Sequence, residues 1–145
     1  MAAAMAATGF ALLSPGPAAL FAGGCLAGAC APDWLEITWF RRGRNSLIPH
    51  RTLTHWPWPW FASLVLLLLV PLRPSVVFWP LIGFTGSAIL HLAADLCAPT
   101  GIPLKNPFGS RYSLNLIHTG SPGEIVVTCA AWVIPAMAML SRFGR

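Results

Sequence analysis

From Trp60 to Pro71, and again from Val76 to Ala94, the chain contains no Asp, Glu, Lys or Arg. Runs of this length constrain the fold more than any other feature, because apolar stretches near 20 residues are the length a helix needs to cross a bilayer. Composition points the same way: 56% of the 145 residues are hydrophobic and 9% charged, far from an ordinary soluble domain. The expectation is an all-α polytopic membrane protein, a single integral domain over residues 1–145. Its four apolar segments are drawn at about 9–29, 58–72, 75–96 and 124–140.

The stretch before Cys30 lacks the basic n-region of a signal peptide and reads as a retained first membrane helix, rich in small residues that suit close helix packing. Trp56, Trp58 and Trp60 stand where an interfacial aromatic belt would lie. Pro71 and Pro74 bracket a tight turn into the third segment, since proline cannot continue a helix. Cys25, Cys30, Cys97 and Cys129 contain no CxxC pair and read as small hydrophobes. Four spans put the loops 30–57 and 97–123 on one face. Arg41, Arg42, Arg44, Arg51, Lys105 and Arg111 then lie on that face, against Arg73, Arg142 and Arg145 on the other, which assigns the loops to the cytoplasm. The net charge of +5 comes from few, scattered basic residues, so lipid headgroups are the expected partner and nucleic acid is not.

The four acids and four histidines all fall on this loop face: Asp33, Glu36, Asp95 and Glu124, with His50, His55, His91 and His118. Asp33 and Glu36, three apart, share one face if helical and suit a metal ligand and a general base; a helix N-terminus stabilised by acids is the plainer reading. His91 and Asp95, four apart in an apolar helix, share a face too, and such groups are costly in a membrane unless paired or bound to something. In His50-Arg51-Thr52-Leu53-Thr54-His55 two imidazoles flank an Arg and the hydroxyls of Thr52 and Thr54. Imidazole with carboxylate is a ligand set for zinc, with manganese or iron as further fits. Arg51 is suited to grip a phosphate oxygen, or else marks topology. His118 reads as an interfacial residue, and Glu124 stands between a site role and a cap on the fourth segment.

At these residues the chain resembles the YdjM-like family of inner-membrane metal-dependent hydrolases. The resemblance rests on three motifs in order: Pro32-Asp33-Trp34-Leu35-Glu36; His50-Arg51-Thr52-Leu53-Thr54-His55; and His91-Leu92-Ala93-Ala94-Asp95 running into Pro99-Thr100-Gly101-Ile102-Pro103. It covers about residues 26–107. The His-x-x-x-Asp helix is also distantly similar to the zinc phospholipase C and single-strand nuclease superfamily. Two features depart from the family pattern: the second acid is Glu36, three residues after Asp33, whereas many members carry an Asp two residues after the first, and Leu90 precedes His91 where Ser is frequent.

The resemblance implies a bacterial inner-membrane hydrolase. Asp33, His50, His55, His91 and Asp95 would bind one or more divalent ions, zinc foremost. Asp33 or Glu36 would orient or deprotonate a water, and Arg51 would steady the transition state of a headgroup phosphodiester or ester. Thr54, His118 and Glu124 are additional candidates. The rival from another class is a non-catalytic membrane interaction or assembly subunit, homo-oligomeric or with other membrane proteins, whose His/Asp cluster holds helices together with or without metal. A third reading, an ion or proton carrier using His91 and Asp95, requires polar residues along a path through the bilayer, and the second and fourth segments offer almost none.

Overall fold

The first apolar stretch does not form one helix. Proline cannot donate the amide hydrogen that continues a helix, and it drives the residue before it into extended backbone. Ser14 sits at φ −69°, ψ 158°, and Pro15 opens the next helix, where its missing N–H is of no consequence. The expected span at 9–29 is therefore replaced by α1 (Ala2–Leu12) and α2 (Pro15–Gly28), of 11 and 14 residues. At 1.5 Å per residue these are about 16 and 21 Å long, short of a roughly 30 Å hydrocarbon core.

The computed structural model describes residues 1–39, 41–42, 45–46, 52–69, 76–118 and 121–126, and single positions at 129, 133, 137, 140 and 141, with no side chains at 37–39, 41–42 and 45–46. After α2 come α3 (Ala31–Trp39), a short antiparallel pairing of β1 (Arg41–Arg42) with β2 (Asn45–Ser46), and a 3-10 turn (Leu53–His55). Next are α4 (Pro57–Leu69), α5 (Phe78–Cys97), and β3 (Ile102–Pro103) paired antiparallel with β4 (Arg111–Tyr112). The chain is mostly helical, as its composition predicts. Among the described residues, α5 is the one helix long and apolar enough to cross a membrane, so helix lengths do not carry four spans. The segment expected at 58–72 is the 13-residue α4 as far as it is described, and that at 75–96 is the 20-residue α5. Helix covers 122–126, while most of the segment expected at 124–140 lies outside the described residues.

Backbones meet along the α2–α5 seam. A Cβ on Gly24 would collide with the carbonyl of Pro80, one on Gly28 with the backbone of Phe84, and one on Gly83 with the carbonyl of Phe21. From Gly24 against Pro80 to Gly28 against Phe84 both helices advance by one turn, so α2 and α5 run parallel. α1 folds back on α2, with the Phe21 ring occupying the space beside Gly9, and Met5 of α1 reaches Gly86 of α5. Small residues dominate this interior: Ala4, Ala11, Ala18, Ala22, Cys25 and Ala88 are buried. Large side chains such as Leu12, Leu26, Phe61, Leu66 and Leu69 are exposed. A soluble protein hides its large hydrophobes and does not present them in such numbers. Small residues inside and large apolar ones outside are the pattern of helices packed in lipid.

Because α2 and α5 run parallel, α3 emerges at the end of the seam where α5 finishes. Trp34 Nε1 donates to the Ala27 carbonyl across 3.4 Å, and its ring meets Phe84 edge-on at a centroid distance of 6.5 Å. The indoles expected to form an interfacial belt donate to backbone carbonyls, two of them to one 46 and 48 residues away. Trp56 Nε1 and Trp58 Nε1 both donate to the Leu104 carbonyl, at 3.3 and 2.7 Å, and Trp60 Nε1 donates to Thr54 O at 2.8 Å. The loop after α5 is fixed in turn by Leu114 N–H to Leu96 O, Leu116 N–H to Cys97 O and Ser113 Oγ–H to Ala98 O, at 2.8, 2.9 and 2.6 Å. Gly101 (φ +62°) turns this loop where a Cβ would strike the Tyr112 carbonyl. The two stretches expected to share a face thus meet at one end of the helical layer.

Candidate metal centre

Three elements deliver the polar side chains to that end. Pro32, fully buried, stands in the first turn of α3, where proline is tolerated, and the following Asp33 lies at the positive end of the helix dipole. The 3-10 turn presents His55, whose side chain is wholly buried. α5 supplies His91 and Asp95, one turn apart as their spacing predicts. Asp95 lies in the last turn of α5, where a carboxylate opposes the helix dipole and a cation is favoured.

The contacts converge. His55 Nε2 lies 3.3 Å from Asp33 Oδ1 and 3.4 Å from Asp95 Oδ2. His91 Nε2 lies 3.5 Å from Asp33 Oδ2 and 3.5 Å from Asp95 Oδ2. The two imidazoles meet at a centroid distance of 5.9 Å. Asp33, His55 and His91 each bring one ligand atom within 4.8 Å of the others, a group that fits a metal ion. Charge-assisted hydrogen bonds run shorter, near 2.7–2.9 Å. By contrast, ligand atoms about 2.0–2.1 Å from a tetrahedral ion are separated by roughly 3.3–3.4 Å. His91 Nε2 is shielded from water and makes no hydrogen bond among the described residues, which leaves that atom for a ligand to satisfy.

Behind this group stands Glu36. Its Oε2 lies 3.7 Å from His55 Nδ1, the far side of the ring from Asp33 and Asp95, and its Oε1 accepts from the Thr52 N–H at 3.2 Å. Thr54 Oγ1 lies 3.1 Å from the same His55 Nδ1. Burial differs around the group: the Asp33 side chain keeps 36% of its surface exposed, against 12% for Asp95 and 19% for His91. The group therefore opens toward solvent on the Asp33 side.

Of the residues singled out in the sequence, Asp33, Glu36, Thr54, His55, His91 and Asp95 are brought together. His118 and Glu124 are exposed and stand outside the metal-sized group. His50 and Arg51 lie outside the described residues. Sequence reasoning missed Thr52, whose amide fixes Glu36 and whose Oγ1 is buried without a hydrogen bond among the described residues. It also missed Ser87, buried one turn before His91 and likewise without one. Ser87 had a signal in the sequence: it extends the i, i+4 stripe of His91 and Asp95.

The family model of the YdjM inner membrane protein matches residues 1–143. The chain belongs to the YdjM inner membrane protein family. The match covers α1 through α5 and every residue of the His/Asp group, and it sets this member of the family in the inner membrane. No curated protein and no solved structure matches the chain.

Proposed function

We propose that this YdjM-family protein is a membrane-embedded metal-dependent hydrolase whose ion is held by Asp33, His55, His91 and Asp95. The observation that carries the reading is the convergence of Asp33, His55 and His91, whose ligand atoms lie within 4.8 Å of one another, with Asp95 Oδ2 3.4 and 3.5 Å from the two imidazoles. Zinc is the first choice for two imidazoles and two carboxylates, with manganese or iron next. When bound, such an ion supplies a Lewis acid and an acidified water at neutral pH. Asp33, the ligand most open to solvent, is the residue assigned to orient that water toward a substrate. We assign Arg51 to the substrate's phosphate oxygen and His50 to a further ligand position. A headgroup phosphodiester is the favoured substrate class, because the site lies at the end of a membrane-length helix; carboxylic esters follow. The distant similarity to zinc phospholipases and single-strand nucleases fits this chemistry, and the basic residues of the loops favour a cytoplasmic site.

Elemental analysis of freshly detergent-purified protein tests the ligand set. Near-stoichiometric zinc or manganese, absent from His55→Ala and His91→Ala, is expected. Wild type without metal overturns the reading. Turnover is tested on mixed phospholipid substrates with Asp33→Asn as control. Metal retained with no activity on any phospholipid or ester would instead favour the assembly-subunit reading, which has its own support: the cluster joins α3, the 3-10 turn and α5.

A further inference from the structure

We propose that Glu36 is a positioning residue that selects the tautomer of His55, rather than the base that deprotonates water. The geometry stands on its own; its consequence for the ion rests on the metal-site reading above.

A neutral imidazole carries one proton, and the nitrogen without it is the one that can ligate. Left to the Nε2 edge alone, His55 would keep its proton on Nε2, facing the carboxylates of Asp33 at 3.3 Å and Asp95 at 3.4 Å. That tautomer has no lone pair to give a metal. The Nδ1 edge must therefore compete for the proton. Thr54 Oγ1, 3.1 Å from Nδ1, cannot decide the matter, because a hydroxyl donates to a bare nitrogen as readily as it accepts from a protonated one. An ionised carboxylate only accepts. Among the described residues, Glu36 Oε2, 3.7 Å from Nδ1, is the acceptor-only group that favours a proton there, and with the proton on Nδ1 the Nε2 lone pair points into the cluster.

Glu36 is held for this task. It lies one turn after Asp33 in α3, its Oε1 accepts from the Thr52 amide, and its side chain is only 11% exposed. A buried acid behind the ring is a poor candidate for reaching a water on the solvent side, where Asp33 lies. It is well placed as the outer partner that metal-ligating histidines use to fix ring orientation, a partner whose loss typically weakens binding by about 10–100-fold.

The experiment combines zinc titration against a competing chelator with nitrogen NMR of histidine-labelled, detergent-purified full chain, for wild type, Glu36→Gln, Glu36→Leu and Asp33→Asn. Glutamine keeps an acceptor oxygen but adds a donor, so Glu36→Gln should weaken zinc binding by less than Glu36→Leu and leave the proton shared between His55 Nδ1 and Nε2. Glu36→Leu should weaken zinc binding by about 10–100-fold and move the proton to Nε2, with an unfolding temperature of the metal-free protein matching that of Glu36→Gln. Zinc affinity of Glu36→Leu within twofold of wild type would overturn the proposal. So would a Glu36→Gln loss as complete as that of Asp33→Asn, which would make Glu36 a ligand. Wild type that binds no zinc would refute the metal-site reading instead; the metal-free spectra would still decide the tautomer, and an Nδ1 proton unaffected by Glu36→Leu would sink it.

Discussion

α5 takes part in two regions built on opposite principles. Along its first half it meets α2 through Gly24, Gly28 and Gly83, with backbone against backbone and little room for a side chain. In its last two turns it meets α3 and the 3-10 turn through His91 and Asp95, where side chains alone make the contact. The seam derives its stability from shape and tolerates no added atom. The polar end consists of ionisable groups whose mutual distances suit a shared ligand better than one another. Close backbone packing and the candidate metal group are thus separated along one helix, and a substitution in one half should leave the property of the other half intact.

The strongest challenge to that separation is Gly28→Leu. The side chain would drive into the Phe84 backbone, and the expected cost is about 3 kcal/mol or more, read as a lower unfolding temperature or lost accumulation. Molecules that do fold should still bind zinc at full stoichiometry. His55→Ala tests the other half: zinc affinity should fall at least ~100-fold, or ~2.7 kcal/mol, while the unfolding temperature of the metal-free protein falls by less than that of Gly28→Leu. A fall in that temperature as large as the seam variant's would mean that the cluster is structural and the division false.

Smaller effects sharpen the picture. Acidification should weaken zinc binding, because the imidazoles must give up their protons to ligate, so titrations across decreasing pH should show affinity falling and protons released on binding. The Gly28→Leu protein should follow the same pH profile. Trp58→Phe removes one of the two donors to Leu104 O and should cost about 1 kcal/mol of stability with little change in metal affinity.

The site was more legible in the sequence than the fold. His91 and Asp95 are four apart on a strongly apolar helix, so periodicity alone put them on one face, and Asp33 with Glu36 followed from the same rule. With only four acids and four histidines, any convergence had to draw on a short set. The first span, at 9–29, failed for the opposite reason. Hydrophobicity summed over 9–29 hid Pro15, a single residue that outweighs its neighbours because it removes a backbone donor and fixes a dihedral. The roles within the site were beyond reach as well: Glu36 behind His55, and Trp58 against a carbonyl 46 residues away, are set by tertiary packing and leave no local period to read.

The tryptophan-to-carbonyl contacts around the 3-10 turn have one further consequence. Trp60 holds the Thr54 carbonyl, the neighbour of His55, while Trp56 and Trp58 tie the start of α4 to Leu104 in the loop that Ser113 joins back to the end of α5. The backbone of the turn that carries His55 is thus secured by contacts that need no ligand. The entropy of organising the turn is lost when the chain folds, not when the cluster is filled, so occupancy can change without repacking the protein around it.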